Sequence, residues 1–368
     1  MKLLKKENFQ LTIESKEVEL YTLRNNNGCV AQFTNYGGRW LSMWTPDKQG
    51  KFADVILGFD TIGRYINAAE KYHGSIVGRV CGRIDKGIFS LNGLTYQLAN
   101  NDIFGEPVKN HLHGGTHGFS FQVWNGKIGK SESGEETLEF TYLSRDGEEG
   151  YPGNLQIKVV YTLSNDNEMK IGYSALTDKP TPINLTNHAY FNLHGNMDRN
   201  VLDHFLCIQS NSSIESNEEL IPTGKIISVI GTPLDFTHPQ KIGLRINEEF
   251  SGQLFAGKGY VVAYVLNETN LSLRFATSVE EKESGRFMQV YTNQPNLQFY
   301  NAWLFDGTDV GKNGQRYYCS SGFALEAQGY PDAPNHCNFP SIILNPGQVY
   351  QHETIYRFLV KGTSKNSA

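Results

Sequence analysis

The sequence lacks the short motifs that mark most nucleotide, cofactor and nucleophile chemistry. It contains no Gly-x-Gly-x-x-Gly, no Walker loop, no His-Glu-x-x-His and no Gly-x-Ser-x-Gly. These absences argue against a dinucleotide enzyme, a P-loop ATPase, a zincin-type protease and an α/β-hydrolase. We therefore expect a protein that works without a cofactor or a metal ion.

Cysteine is scarce and scattered along the chain. The five cysteines, Cys29, Cys81, Cys207, Cys319 and Cys337, are odd in number and form no Cys-x-x-Cys pair. This spacing indicates neither a disulfide framework nor a zinc knuckle. Thiols without a pairing pattern are typical of a reducing compartment, so we expect a cytoplasmic location.

An excess of positive charge and long apolar runs are also missing. Lys and Arg total 33 against 38 Asp and Glu, which gives a net charge of −5 and no basic surface for nucleic acid. No apolar run approaches the ~18 residues of a membrane span. With 39% hydrophobic residues and no clear linker, residues 1–368 are expected to form one domain. We expect a monomer or homodimer that acts on a small molecule.

The chain instead contains short apolar runs rich in branched and aromatic residues. Residues 157–163, 260–266 and 286–292 are examples, and turn signals such as Asn-Gly and Asp-Gly separate the runs. Only residues 67–72 and 239–248 suggest short helices. The pattern predicts an all-β fold, either a large antiparallel sandwich or a barrel.

Three histidines cluster between residues 110 and 118, in Asn-His-Leu-His-Gly-Gly-Thr-His-Gly. One interpretation is a metal site formed by His111, His113 and His117, but no carboxylate or cysteine stands nearby as a further ligand. A second is a polar ligand site in which the glycines let the backbone approach the ligand. The simplest is a loop of solvated histidines.

The segment 181–193 places several amides and His188 among apolar and aromatic residues. A buried polar group must be paired or used. His188 is therefore either an acid or base held in one tautomer, or a hydrogen-bonded core histidine.

A lone carboxylate, Glu326, sits in the otherwise apolar run 323–327. Burial would raise its pKa toward neutrality, which suits a general base. The alternative is a structural ion pair with Arg79 or Arg83. Asp332 is the best candidate for a second carboxylate if the protein were a glycosidase.

Together these segments resemble the aldose 1-epimerase (galactose mutarotase) family. The similarity extends over nearly the whole chain, from residue 35 to residue 358. Each motif is weak alone, but their order and spacing are specific in combination. The matching motifs are Asn35-Tyr36-Gly37-Gly38-Arg39, Val55-Ile56-Leu57-Gly58-Phe59-Asp60, Gly78-Arg79-Val80 with Arg83-Ile84, Leu112-His113-Gly114-Gly115, residues 146–154, Thr186-Asn187-His188 with Tyr190-Phe191-Asn192-Leu193, Leu325-Glu326 and Pro331-Asp332-Ala333-Pro334-Asn335.

The resemblance implies a large antiparallel β-sandwich and an enzyme that interconverts the α and β anomers of a free aldose such as galactose or glucose. It also implies the roles of individual residues. Glu326 corresponds to the general base and His188 to the general acid of ring opening and reclosure. The implied sugar contacts are Arg83, His113, Tyr190 and Gln294. No cofactor is required.

Two positions depart from the family pattern. Gly82 stands where an asparagine usually precedes the sugar-contacting arginine. Val261 stands where an aspartate usually bonds sugar hydroxyls. The acid–base pair is retained, but losing a hydrogen-bonding group can change specificity strongly.

These departures leave alternatives to an epimerase of common hexoses. One is an epimerase that prefers a different sugar, and another is a sugar-binding protein without catalysis. An enzyme of phosphorylated hexoses would need clustered Arg or Lys near the site, which Arg79 and Arg83 alone do not supply. Glycan cleavage is the weakest alternative. The loop 98–109 is long enough to reshape the site.

Overall fold

The computed structural model describes residues 1–104, 107–195, 198–250, 252–255, 257–267 and 272–362. Antiparallel strands dominate these segments, as the sequence predicts. In chain order they are β1 (Leu11–Ile13), β2 (Lys16–Val18), β3 (Leu20–Arg24), β4 (Val30–Thr34), β5 (Arg39–Pro46), β6 (Phe52–Asp54), β7 (Ile76–Val77), β8 (Arg83–Ile84), β9 (Ile88–Leu91), β10 (Leu94–Gln97), β11 (His111–Leu112), β12 (Asn125–Lys130), β13 (Glu136–Ser144), β14 (Leu155–Leu163), β15 (Glu168–Thr177), β16 (Thr181–Pro182), β17 (Thr186–Asn187), β18 (Phe205–Ile208), β19 (Ser212–Ser216), β20 (Pro222–Ser228), β21 (Gln240–Lys241), β22 (Leu254–Phe255), β23 (Gly259–Val265), β24 (Arg274–Glu280), β25 (Arg286–Thr292), β26 (Asn296–Tyr300), β27 (Asp306–Val310), β28 (Arg316–Tyr318), β29 (Ala324–Gln328), β30 (Ile343–Leu344) and β31 (Tyr350–Val360).

Both helix predictions are wrong in position or type. The α-helix of the described residues, α1 (Ile62–Asn67), ends where the predicted helix 67–72 begins. Thr61 starts it, because its hydroxyl accepts the Arg64 N–H at 3.3 Å. Within 239–248 only four residues are helical, and they form a 3₁₀ turn. The 3₁₀ helices are Lys6–Phe9, Asp85–Gly87, Phe119–Phe121, Glu148–Gly150, Ile242–Arg245, Lys312–Gly314 and Ala333–Asn335.

The largest sheet has nine strands in the order β12-β13-β14-β15-β31-β25-β24-β18-β21. Its strands β14 and β25 confirm the predicted runs 157–163 and 286–292. Alternate residues of β14 are buried, which is the period-two pattern of a sheet with one face on a core.

A second, six-stranded sheet has the order β20-β19-β23-β26-β29, with β22 paired to β23. Its β23 confirms the predicted run 260–266. Leu297, Phe299 and Leu325 of this sheet share one buried cluster with Val159 and Met288 of the nine-stranded sheet. The four-stranded sheet β3-β4-β5-β6 contributes to the same cluster. The two large sheets thus form the predicted sandwich.

Successive side chains of β26 and β29 point alternately into the core and to the opposite face of the sheet. Leu325 packs in the core, so its neighbour Glu326 points to the opposite face. The antiparallel register places Gln298 directly opposite Glu326, and Ala263 opposite Gln298. A row of side chains therefore lies on the outer face of the six-stranded sheet. No helix in the described residues has the length and apolar character needed to cross a bilayer.

Candidate active site

A cavity of about 600 Å³ opens on this outer face. Its volume is within the roughly 300–1,000 Å³ typical of small-molecule sites. Glu326 and Gln298 form part of the wall on the sheet side, and His188, His113 and Arg83 reach it from other segments. The structure therefore brings together four of the six residues that the sequence singles out, and Tyr190 lines the cavity as a fifth.

Glu326 is a buried carboxylate, and within the described part of the chain no arginine forms a salt bridge with it. Its Oε2 has no hydrogen-bond partner among the described residues, and its side chain is 3% exposed. Burial raises its pKa to about 8, an effect that the charge on Glu70 increases and the Arg83 guanidinium reduces. Arg79 lies elsewhere and donates to the backbone oxygens of Pro152 and Gly153. The structural ion-pair interpretation of Glu326 is therefore wrong.

His188 follows β17 and stands beside Glu326. Its backbone N–H donates to the Ser75 carbonyl at 2.9 Å, which fixes the start of the segment. The ring Nε2 lies 3.5 Å from Glu326 Oε1, and Nδ1 has no partner among the described residues. Burial lowers the His188 pKa to about 4. The ring packs between Tyr72 and Tyr190, with centroids 6.0 Å and 4.8 Å away.

His113 is held by its own backbone and by Gly82. It has a left-handed backbone with φ of 53°, and its N–H donates to the Gly82 carbonyl at 3.1 Å. The Gly82 N–H in turn donates to His113 Nδ1 at 3.2 Å. Burial, with the nearby His188, holds the pKa of His113 well below its ordinary value, so the ring is neutral. Because Nδ1 accepts, the proton is assigned to Nε2, which makes that atom a donor.

Arg83 is anchored by a carboxylate from the loop 98–109. Its Nε donates to Asp102 Oδ2 at 2.6 Å and its Nη2 to Oδ1 at 3.3 Å. The guanidinium also lies over the Phe104 ring, 5.8 Å from the centroid. Asp102 and Phe104 line the cavity, whereas residues 105 and 106 of the loop lie outside the described residues. Arg83 is thus fixed as a cation of the cavity wall.

Gln294 is the one predicted site residue that the structure does not bring to the cavity. It lies between β25 and β26 and is not among the residues of the cavity wall. Gln298 occupies the cavity wall instead, opposite Glu326. The prediction of Gln294 is therefore corrected to Gln298.

The remaining polar candidates have structural partners. His111 is clamped between the Ala99 carbonyl and the Tyr151 hydroxyl, both at 2.7 Å. His117 is not among the residues of the cavity wall, so the structure does not support the interpretation of His111, His113 and His117 as one metal site. Asp332 accepts from Asn335 Nδ2 at 2.7 Å and faces His336, outside the cavity. A glycosidase pair of Glu326 and Asp332 is therefore not formed.

Ligand atoms of His113, His188 and Glu326 lie within 4.8 Å of one another, so they are the residues of the cavity that could hold a metal ion. The hydrogen bonding of His113 opposes this use. A metal takes an imidazole lone pair, but His113 Nδ1 already accepts from Gly82 and Nε2 carries the proton. The Nε2–H of His113 is better suited to donating a hydrogen bond to an oxygen of a ligand.

The polar cavity residues that were not predicted from sequence include Gln298, Asp102 and Glu70. Gln298 could have been found, because polar side chains alternate with Leu297 and Phe299 along β26. Asp102 and Glu70 come from polar loops, where a carboxylate carries no signal of burial.

The two departures from the family pattern also lie at the cavity. Val261 of β23 lines it and faces Tyr300 across the sheet. Gly82 has a φ of 77°, and a Cβ there would lie 3.2 Å from Pro331 Cβ. The cavity wall is thus apolar at Val261, and at Gly82 it consists of backbone without a side chain.

Comparison with known proteins agrees with this geometry. The sequence model of the aldose 1-epimerase family matches residues 19–357. The chain is 39% identical to galactose mutarotase of Bos taurus over 350 residues, which cover 95% of this chain and 96% of the relative. It is 40% identical to the galactose mutarotase of Homo sapiens, covering 89% and 90%. It is 32% identical to the aldose 1-epimerase of Escherichia coli, covering 95% and 98%.

Solved structures give the same result. A homologue of aldose epimerase from C. elegans superposes with a TM-score of 0.82 at 29% identity, covering 93% of this chain and 99% of the other. A galactose 1-epimerase from Lactobacillus acidophilus superposes with a TM-score of 0.81 at 26% identity, covering 95% and 97%. Because the family model and these relatives match nearly the full length, the chain belongs to the aldose 1-epimerase family.

Proposed function

We propose that this protein is an aldose 1-epimerase that interconverts the α and β anomers of a free hexose of the galactose or glucose type. The observation that carries the proposal is the pair His188 and Glu326, 3.5 Å apart in a cavity of suitable size. The names of the relatives support the reaction, and the acid–base geometry supports its chemistry.

In the proposed reaction Glu326 takes the proton of the anomeric hydroxyl while His188 gives a proton to the ring oxygen. The bond between C1 and the ring oxygen breaks, and the open-chain aldehyde forms. Rotation about C1–C2 exposes the other face of the aldehyde. Reclosure then reverses both proton transfers. General acid–base catalysis of this kind is worth roughly 10²–10⁴-fold.

The proton count of the pair suits this cycle. Between the pKa of His188 at about 4 and that of Glu326 at about 8, the two groups hold one proton. Ring opening starts with the proton on His188 and ends with it on Glu326. Burial favours the second arrangement because both groups are then neutral. The positive charge of Arg83 favours the ionised Glu326 that begins the cycle.

Arg83, His113 and Gln298 are proposed to bind the sugar hydroxyls. Arg83 is oriented by Asp102, and His113 by the backbone of Gly82. Arg83 and His113 are fixed before the sugar arrives, so little of their side-chain entropy is lost on binding. Tyr190 is proposed to pack against His188 and to close this side of the cavity.

Polarimetry on freshly dissolved α-galactose and α-glucose tests the proposal. We expect the wild type to accelerate the approach to equilibrium. We expect Glu326→Gln and His188→Asn to lose most of that acceleration. His117→Ala and Glu139→Gln serve as matched controls, because neither residue lines the cavity. Activity in both site variants close to that of the wild type would overturn the mechanism.

A non-catalytic sugar-binding protein is the second candidate, and Val261 is the observation that favours it. A missing hydroxyl partner weakens the positioning on which catalysis depends. Isothermal titration with the same sugars distinguishes the two functions. Binding without any rate above that of the buffer would support the second candidate.

A further inference from the structure

Glu70 is a carboxylate of the cavity wall that the proposed mechanism leaves unused. It lies just after α1, and its backbone is held from outside: the N–H groups of Ala69 and Glu70 donate to Asp309 at 2.8 and 2.9 Å. Its Oε1 accepts the Tyr72 N–H at 2.9 Å. The carboxylate therefore has a fixed place and spare lone pairs.

Both aromatic rings beside His188 are connected to Glu70. The Tyr72 backbone N–H donates to the carboxylate, and the negative charge of Glu70 acts on the Tyr190 hydroxyl. The Tyr72 ring stacks on His188 with an interplanar angle of 22°, and it also meets the His113 ring edge-on at 4.6 Å. One carboxylate thus orders the aromatic surroundings of the acid.

Glu70 also acts on the base through its charge. The negative charge of Glu70 raises the pKa of Glu326, and Arg83 lowers it. Burial raises the pKa of Glu70 itself to about 7, so the group is partly to fully ionised in the neutral to alkaline range. The titratable or charged groups that interact with Glu70 are Tyr72, Tyr190, Tyr300, Arg39 and Asp309. Those around Glu326 are Glu70, Arg83, His188, Tyr190, Tyr356 and Cys81.

We propose that Glu70 is a positioning residue of the catalytic pair, which holds Tyr72 and Tyr190 against His188 and whose negative charge favours the protonated form of Glu326. This inference rests on the proposed function. It assigns to Glu70 two separable effects, one through hydrogen bonds and one through charge. The protonated Glu326 is the form that the open-chain sugar requires for reclosure.

Two variants separate the two effects. Glu70→Gln keeps the size and the oxygen that accepts the Tyr72 N–H, but it removes the charge. We expect kcat at pH 6 close to the wild type and an alkaline limb of the pH–rate profile that moves to lower pH, because Glu326 then loses its proton more easily. Glu70→Ala removes the hydrogen bonds as well. We expect kcat to fall roughly tenfold or more, as when groups that orient a reacting residue are lost, with a smaller change in KM.

A titration of Glu326 that needs no turnover keeps the test independent of the proposed function. The ¹³C NMR signal of the Glu326 carboxyl, assigned by its loss in Glu326→Gln, should titrate at lower pH in Glu70→Gln than in the wild type. Glu139→Gln, a substitution on the surface of β13, should leave both the signal and the pH limb in place.

The outcomes are distinct. An unchanged alkaline limb and an unchanged Glu326 titration in Glu70→Gln would overturn the charge effect. Wild-type kcat in a folded Glu70→Ala would overturn the positioning effect. If Glu70→Ala fails to fold, Glu70→Asp replaces it, because it shortens the same side chain. A lower kcat of Glu70→Asp would support the positioning effect, and wild-type kcat would overturn it. A wild type without epimerase activity, combined with a shifted Glu326 titration, would refute the proposed function but leave the coupling of Glu70 to Glu326 standing.

Discussion

Two clusters of histidine and carboxylate differ in how fully their polar atoms are bonded. In the first, His188 Nδ1 and Glu326 Oε2 have no partner among the described residues. In the second, Asp203 Oδ1 lies 3.0 Å from His194 Nε2 and 3.2 Å from His204 Nδ1, and the Leu193 N–H donates to His204 Nε2 at 3.0 Å. The same residue types thus build an open cluster and a saturated one.

The difference separates a chemical site from a structural one. An unbonded buried polar atom costs about 1–3 kcal/mol, so such atoms persist where a ligand will bond to them. Among the described residues, no side-chain nitrogen or oxygen of His194, Asp203 or His204 is both buried and without a partner. Because His204 Nε2 accepts a backbone N–H, its Nδ1 carries the proton and bonds to Asp203, which leaves no lone pair on that ring for a metal. In both clusters the possible metal-ligand atoms lie within 4.8 Å of one another, so distance alone does not distinguish them.

The largest expected effect concerns the open cluster. Glu326→Gln should reduce the mutarotation rate constant by roughly 10²–10⁴-fold, because the base is lost. It should not lower the free energy of unfolding, since it replaces a buried carboxyl, whose Oε2 has no partner among the described residues, by a neutral amide. Polarimetry and urea unfolding on the same preparation measure both. A variant that loses activity only because it has lost stability would contradict the distinction between the clusters.

The pH dependence of the rate is the next largest effect. Below the His188 pKa of about 4 both groups of the pair are protonated and no base remains; above the Glu326 pKa of about 8 the pair has no proton to give. The rate should therefore be bell-shaped, falling about tenfold per pH unit beyond each limb. Polarimetry from pH 3 to pH 10 measures it, and a single sigmoid would show that only one of the two groups acts.

For the cluster of His194, Asp203 and His204 we expect substitutions to change stability and to leave the catalytic rate unchanged. The His204 ring beside Asp203 holds the pKa of this carboxyl well below its usual range. In the unfolded chain the pKa of an aspartate is about 3.9, and in the folded protein the pKa of Asp203 is lower. Ionised Asp203 therefore stabilises the fold above pH ~3.9, and this stabilisation is lost as the pH falls through the pKa of the folded state. At pH 7 the contribution is fully present.

Asp203→Asn should accordingly lower the free energy of unfolding at pH 7 by about 1–2 kcal/mol, a figure reduced because the side chain is 39% exposed. Its kcat should match the wild type. Urea midpoints at pH 7 and pH 3.5 test the assignment, since the difference between the proteins should shrink in acid. A large loss of kcat in Asp203→Asn without a loss of stability would show that the second cluster takes part in catalysis.

Sequence reasoning recovers the open cluster better than the saturated one. Glu326 stands out because a carboxylate interrupts an apolar strand, and His188 because amides and aromatics surround it. Gln298 is missed in favour of Gln294: alternation along β26 marks Gln298 as a polar residue of that strand, but its place opposite Glu326 depends on the register of β26 against β29, which is a non-local property. Asp102 and Glu70 become visible only when loops fold over the cavity. The pair His194 and Asp203 looks like ordinary loop residues in sequence.

The same argument explains the helix errors. Residues 67–72 contain helix-compatible side chains, but Thr61 caps a helix that starts earlier, and Ala68 already has an extended backbone. Residues 239–248 are held by single hydrogen bonds from β18 and its neighbours, such as the Ile242 N–H to the His204 carbonyl. Tertiary contacts override weak local preferences in both segments.

The smallest expected effect tests whether the open cluster can use one more acceptor. Val261 lines the cavity, so Val261→Asp would place a carboxylate where a bound sugar can reach it. A new hydrogen bond to a hydroxyl is worth about 0.5–1.5 kcal/mol, so KM for galactose or glucose should fall roughly two- to tenfold. kcat should change less, because the acid–base pair is unaltered. Val261→Asn is the matched control of similar size, and 2-, 4- and 6-deoxy sugars identify the hydroxyl by losing the gain. Equal KM values for Val261→Asp, Val261→Asn and the wild type with every sugar would mean that the carboxylate missing at Val261 is not what sets the sugar preference of this cavity.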